Sequence, residues 1–210
     1  MGKSNNSMVY KLFSNLKFSK KGFTVIELIV VVFIIVLLSA ILVSDFPKIK
    51  KQLALSRSAY QLAQDLRKAE DLGLSGVQTK DKNNVLITAK GYGIYISTSQ
   101  STFYLIYADI DDSKAYNNVQ LCDSSVRDVN KDCTIEKIDL SQQSSSLFIS
   151  SLVDDLGNSY ISTSINFNPP DPTTTIAGLN ASATKIGIVL SNGLSTRTVW
   201  VNKAGLINVQ

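Results

Sequence analysis

The sequence predicts an α+β protein: a long, kinked N-terminal helix packed on an antiparallel β-sheet domain. Three observations carry this. Phe23 to Val43 is a run of 21 residues in which Glu27 is the only charge. Leu55, Ala59, Leu62, Leu66, Ala69 and Leu72 then recur at helical spacing, with Lys51, Arg57, Gln64, Asp65, Arg67 and Lys68 on other faces. From Gly76 onward the chain breaks into short β-rich runs punctuated by glycine, serine and proline.

The apolar run is helical by composition and apolar on every face, so it needs lipid or other helices around it. At about 1.5 Å per residue it spans roughly 30 Å, the hydrocarbon thickness of a bilayer. Asp45-Phe46-Pro47 follows, and the proline predicts a kink or short break before helix resumes. That break either simply stops the first helix or lets its membrane half stretch while the outer half stays docked. Gly73 and Gly76 are expected to end the amphipathic segment.

Strands are expected over 85–89, 92–98 and 102–108, with turns at Gly91 to Gly93 and at Ser99-Gln100-Ser101. Tyr92, Tyr95, Phe103, Tyr104 and Tyr107 are read as strand-packing residues. Asp109 to Cys133 reads as a polar loop, 134–140 as a short strand, and 141–146 as a serine-rich connector. The segment 147–156 fits strand or helix equally, and 159–168 is a strand stopped by Pro169, Pro170 and Pro172. The end is a meander. Residues 185–190 lead through Ser191-Asn192-Gly193 to 196–201, and Asn202-Lys203-Ala204-Gly205 turns the chain into 206–209.

The formal net charge of +4 is misleading. Lys3, Lys11, Lys17, Lys20 and Lys21 precede Phe23 without any acid, and the rest carries 16 basic against 17 acidic residues. The basic end is expected to stay in the cytoplasm. The remainder has no net attraction for nucleic acid, which argues against an electrostatic nucleic-acid binder. An ordinary secretory signal is cut after its apolar stretch. Here the small residue that suits a cut, Gly22, lies before it.

Lys20-Lys21-Gly22-Phe23-Thr24-Val25-Ile26-Glu27-Leu28 resembles the prepilin leader of type IV pilins and type II secretion pseudopilins. The resemblance implies cutting after Gly22 and N-methylation of Phe23 by a prepilin peptidase and methylase. It also implies polymerisation through the exposed helix with other pilin or pseudopilin subunits, on an inner-membrane assembly platform. In that family the acid matching Glu27 neutralises the N-terminal amine of a neighbouring subunit and sets register. The implied organisation is a cleaved leader over 1–22, a transmembrane and assembly helix over 23–44, an amphipathic helix over 45–75, and an extracytoplasmic globular domain over 76–210. The expected whole is ladle-shaped: a single-pass inner-membrane protein before assembly, and part of a filament after it. The β-rich body and closing meander look most like H-type minor pseudopilins and FimT-like minor pilins. Some FimT-like pilins bind DNA through arginines after the last turn's glycine. Here Leu206, Ile207 and Asn208 follow Gly205, which departs from that pattern.

Cys122 and Cys133 are the only cysteines, and a domain outside the cytoplasm favours a disulfide between them. Two free thiols or a metal pair are the alternatives, and two sulfurs in a chain without histidine make a poor zinc site. Asp109, Asp111 and Asp112 put alternate carboxylates in one loop, the oxygen chemistry of a calcium site. The loop lacks the glycine and terminal glutamate of an EF-hand, so an acid-rich turn is the favoured reading. No other cofactor is expected. With no histidine, nucleophile elbow or phosphate loop, no catalytic residues are assigned and the chain is not read as an enzyme. The competing function is a single-pass anchored extracytoplasmic binding or sensor domain. A hydrolase on the same anchor ranks last.

Overall fold

The structure is a computed structural model that describes residues 22–80, 85–117, 120–122, 131–169 and 174–210. The residues fall into two units, one ending at Phe46 and one running Pro47–Gln210. One helix, α1, covers Val25–Ser75. It continues through Pro47, where the sequence predicted a kink or a short break, and no break is present. A proline removes one backbone bond, and the intact bonds of adjacent turns carry the helix across.

The first unit's share of α1 is apolar and solvent-facing throughout, from Val25 to Val43. In the second unit the helix has a buried stripe. Leu55, Ala59, Leu62, Ala63, Leu66 and Ala69 all join the main core, and Leu62 and Leu66 are wholly buried. Full burial of such a leucine contributes about 1.5–3 kcal/mol.

The helix ends differently from expectation. Gly73 lies inside it rather than stopping it, because a Cβ there would come within 2.5 Å of the Phe167 carbonyl oxygen. Close approach, not termination, demands that glycine. Gly76, at φ +58°, is the residue that turns the chain away.

Twelve strands follow among the described residues. They are β1 (Thr79–Lys80), β2 (Leu86–Ile87), β3 (Gly91–Ser97), β4 (Phe103–Asp109), β5 (Cys133–Asp139) and β6 (Phe148–Asp154). After them come β7 (Ser159–Tyr160), β8 (Ser162–Phe167), β9 (Thr174–Ile176), β10 (Lys185–Ser191), β11 (Thr196–Asn202) and β12 (Ile207–Val209). They form two five-stranded antiparallel sheets, ordered β5-β4-β3-β8-β9 and β12-β11-β10-β6-β7, with β1 and β2 as a separate pair. The segment after Leu147, ambiguous in sequence, is strand β6. Its pairing with β10 skips Ser150, and that extra residue lets both Ile149 and Leu152 enter the core.

The expected strand over 159–168 is two strands in two sheets. Ser159 and Tyr160 pair with β6, and the chain bends at Ile161 before β8 joins β3. The bend is held where Thr98 donates its backbone N–H to the Ile161 carbonyl at 2.8 Å. A second tie between the sheets is Ile149 N–H to the Ser101 carbonyl at 2.7 Å. Helix and both sheets bury one continuous core, including Ile94, Ile106, Ile165, Ile186, Ile188 and Val199.

Tyr104 crosses this core to the helix, donating its hydroxyl to Asp65 at 2.5 Å. Burial raises the Asp65 carboxyl above its ordinary value of 3.8, and the tyrosine bond partly pulls it back. The charged form is therefore disfavoured in the fold. Stability linked to Asp65 is full below pH 3.8 and is lost as pH rises through the higher folded-state value. Tyr104→Phe should cost about 1–3 kcal/mol at neutral pH by leaving a half-buried carboxylate without its donor. The cost should shrink near the carboxyl's ordinary value of 3.8, where Asp65 is protonated. Urea unfolding of both proteins at the two pH values measures this, and an equal cost at both would remove the carboxylate from the account.

Candidate functional site

The N-terminal site begins at a capped helix. Thr24 precedes α1 and its Oγ1 accepts the backbone N–H of Glu27 at 3.3 Å. The Thr24 carbonyl accepts the N–H of Leu28 at 3.2 Å, the first bond of the helix. Thr24-Val25-Ile26-Glu27 has the spacing of a capping box, and an acid in the first turn is favoured by the helix dipole. Gly22 and Phe23 lie just outside the cap, and Phe23 is 79% exposed. Ser39, a polar residue within the apolar run, donates its hydroxyl to the Ile35 carbonyl at 2.8 Å. Its polarity is thus satisfied inside the helix. From Val25 to Val43 the helix offers Glu27 as its charged group, and its side chains are exposed among the described residues. It is long and apolar enough to cross a membrane.

A second cluster lies at the far end of β4. The sheet register puts Ala108 opposite Cys133, which brings the next residues, Asp109 and Asp132, together. Just before that point the register shifts, because Ile135 is an extra residue between the pairs Ile106–Glu136 and Tyr107–Thr134. Asp109 and Asp132 are fully buried. Asp132 accepts the N–H groups of Ile110 at 3.1 Å and Asn117 at 3.2 Å. Asp111, exposed on the loop, accepts the Ser113 N–H at 3.0 Å and the Asn117 amide at 2.5 Å. Asp109 accepts the Lys114 N–H at 3.0 Å and the Asn166 amide at 2.7 Å. Carboxylate oxygens of Asp109, Asp111 and Asp132 lie within 4.8 Å of one another.

This differs from the sequence expectation in one residue. Alternation along the chain suggested Asp109, Asp111 and Asp112. Asp112 instead takes a left-handed backbone turn, at φ 61°, and is not in the group. Alternation ends where the strand ends, and strand pairing supplies Asp132 in its place. The signal was present as an acid beside a cysteine, legible only once the β4–β5 register is known.

Burial raises the Asp109 carboxyl, against the bonds from Lys114 and Asn166. Burial likewise pushes Asp132 up to about 7, opposed by the Ile110 bond and reinforced by the charges of Asp109 and Asp111. For Asp111 burial is the largest single effect and raises the carboxyl, but the bonds from Ser113 and Asn117 together outweigh it, and the carboxyl is lowered. Two of the three acids are thus buried with raised carboxyls, and the third is exposed with a lowered one.

Cys122 and Cys133 are bonded, with Cα atoms 4.8 Å apart, and both are buried. The bond fastens residues 120–122 beside β5, where Thr134 donates its N–H to the Gln120 carbonyl at 2.7 Å and Cys122 donates to Thr134 at 3.0 Å. Ala89, Tyr92 and Ala108 pack around it as a second, smaller core.

The closing meander carries Lys185, Arg197 and Lys203, of which Arg197 and Lys203 are exposed. Lys185 lies over the Trp200 ring, 4.7 Å from its centre, and Lys203 donates to the Ala181 carbonyl at 3.2 Å. At the final turn Gly205 has φ +83° and Leu206 is exposed. Of the residues the sequence singled out, Gly22, Phe23 and Glu27 share the helix start. Asp109, Asp111, Cys122 and Cys133 share the β4–β5 end.

Residues 17–43 match the family model of the prokaryotic N-terminal methylation motif. The match spans the end of the basic leader, the Gly22–Phe23 junction and the exposed helix. It supports a type IV pilin-like or pseudopilin precursor anchored in the membrane, and implies processing by a prepilin peptidase. The motif's family is structural rather than enzymatic. The chain matches no curated protein and no solved structure.

The covalent link between Cys122 and Cys133 has a direct check. Mass spectrometry of the protein without reductant should find the two joined. Reduction should lower the unfolding free energy by about 2–3 kcal/mol, the effect of closing a short loop. Alkylation of both thiols under non-reducing, denaturing conditions would remove the bond from the fold.

Proposed function

We propose that this chain is a prepilin, a structural subunit of a type IV pilus or a type II secretion pseudopilus. Prepilin peptidase cuts it after Gly22, Phe23 is N-methylated, and the mature chain polymerises through its helix. The observation that carries this reading is the capped, uncovered apolar helix directly after Gly22-Phe23, with its charge at Glu27. A helix apolar on every face is stable in lipid or among other helices, and one subunit supplies neither.

The chemistry of assembly follows from the charges. A cut after Gly22 leaves an amine on Phe23, four residues before Glu27. Both charges are costly in hydrocarbon when alone and less so when paired. Pairing Glu27 of an incoming subunit with the Phe23 amine of its neighbour lowers both costs at one register. Repeating a contact between two different patches without closure yields a helical filament. The leader lysines hold the amine end at the cytoplasmic face until cleavage. The two-sheet domain then stands outside the membrane, where its disulfide persists. Among pilins we favour the H-type and FimT-like minor subunits, a reading that the two antiparallel sheets and the C-terminal meander support.

N-terminal sequencing of the mature protein tests the processing step. Phe23 should be the first residue and should carry a methyl group. An intact Met1, or a cut elsewhere, would favour a plain anchored binding or sensor domain instead. Gly22→Val should leave an uncleaved precursor in the membrane, because a peptidase site that accepts a hydrogen side chain has no room for two methyls. Immunoblotting for precursor and mature forms reads this out.

Glu27→Ala separates insertion from assembly. Insertion should be unimpaired or improved, since a charge leaves the apolar run. Filament incorporation should fall by about tenfold or more, the worth of one pairing at roughly 1.4 kcal/mol. Shearing cells and comparing membrane and filament fractions measures both. Wild-type filament yield would count against pairing at Glu27.

A further inference from the structure

We propose that the β4–β5 end of the domain binds a calcium ion through Asp109, Asp111 and Asp132. Oxygens from the three carboxylates lie within 4.8 Å of one another, and two of the three residues are fully buried. Gathering three acids in this way costs free energy unless a proton or a cation offsets the charge. The second observation is at Asp109 itself. Its Oδ2 receives the hydrogen bonds from Lys114 and Asn166, while its Oδ1 is buried without a hydrogen-bond partner. A buried carboxylate oxygen left bare is costly, and a bound ion supplies what the protein does not. Asn166, held at 2.7 Å from Asp109 and itself fully buried, also has its amide oxygen without a hydrogen-bond partner.

The donor set selects the ion. The site offers oxygen alone, and the chain has no histidine, while both cysteines are committed to the disulfide. Transition metals favour nitrogen and sulfur, so a hard cation is indicated. Magnesium demands near-ideal octahedral geometry and holds its waters, whereas calcium accepts irregular sets of six to eight oxygens. Asp111 is exposed and leaves the group open to solvent, so water can complete the shell. The ion would tie the end of β4 to the start of β5 beside the disulfide.

The test uses the full-length chain in detergent, washed with chelator. Calcium chloride is titrated while thermal unfolding and calorimetric heat are followed, with magnesium chloride as the comparison. Calcium should raise the melting temperature saturably, with half-saturation in or below the range of about 10⁻⁴–10⁻³ M seen for extracellular oxygen-ligand sites. Magnesium should give a much smaller shift at equal concentration. Asp111→Asn changes an exposed residue and should fold normally, yet weaken calcium binding by roughly tenfold or more through the lost ligand charge. Asp132→Asn should do the same without lowering stability in chelator, since it relieves repulsion among the acids. No saturable calcium response up to about 10 mM, ten times the weak end of that range, would overturn the site. So would an equal magnesium response, or a calcium response unchanged in both variants.

Discussion

One helix has to satisfy two different surroundings, and the rest of the structure depends on that constraint. From Val25 to Val43 its side chains are exposed among the described residues, and from Leu55 onward it supplies a wall of the core. The first part has apolar residues on every side, as a helix surrounded by lipid or by other helices requires. The second part is striped because the sheets cover one face alone. Small residues in that stripe, Ala59, Ala63 and Ala69, let the strands come close. Gly73 is the extreme case, where even a methyl group would strike the Phe167 carbonyl.

The β domain solves a complementary problem. Its sheets present apolar faces to one core, and short hydrogen-bonded corners hold them in place. Ile161 is the corner where the chain leaves one sheet and enters the other. At the opposite end, the extra residue Ile135 shifts the β4–β5 ladder and leaves Asp109 and Asp132 adjacent beyond it. The disulfide sits one residue from Asp132, so the covalent bond and the acidic group reinforce a single junction. A buried cluster of acids is an expensive thing to build for stability alone. Here it sits at the end of a strand pair, with Asp109 and Asp132 buried and Asp111 exposed.

The two regions of interest place different demands on sequence. In the proposed role, processing and membrane insertion would be read by enzymes and lipid from a linear stretch, so Gly22, Phe23 and Glu27 would carry their meaning in order and spacing. The globular domain has no such short signature. What distinguishes it is which strands pair and in what register, and those are contacts between residues far apart in the chain.

The sequence by itself determined the long apolar helix, the amphipathic stripe that follows and most of the strands. It did so because hydrophobic period is a local property that survives without knowledge of partners. It also determined the closing meander, whose turns at Gly193 and Gly205 need positive φ. Tertiary structure alone decided three things. It put Gly73 inside the helix, where the close approach of the Phe167 carbonyl demands a residue without a side chain. It divided 159–168 between two sheets, because strand pairing is a contact between distant residues that no local pattern encodes. It also exchanged Asp112 for Asp132 in the acidic group, since the register of β4 against β5, not distance along the chain, sets which carboxylates meet.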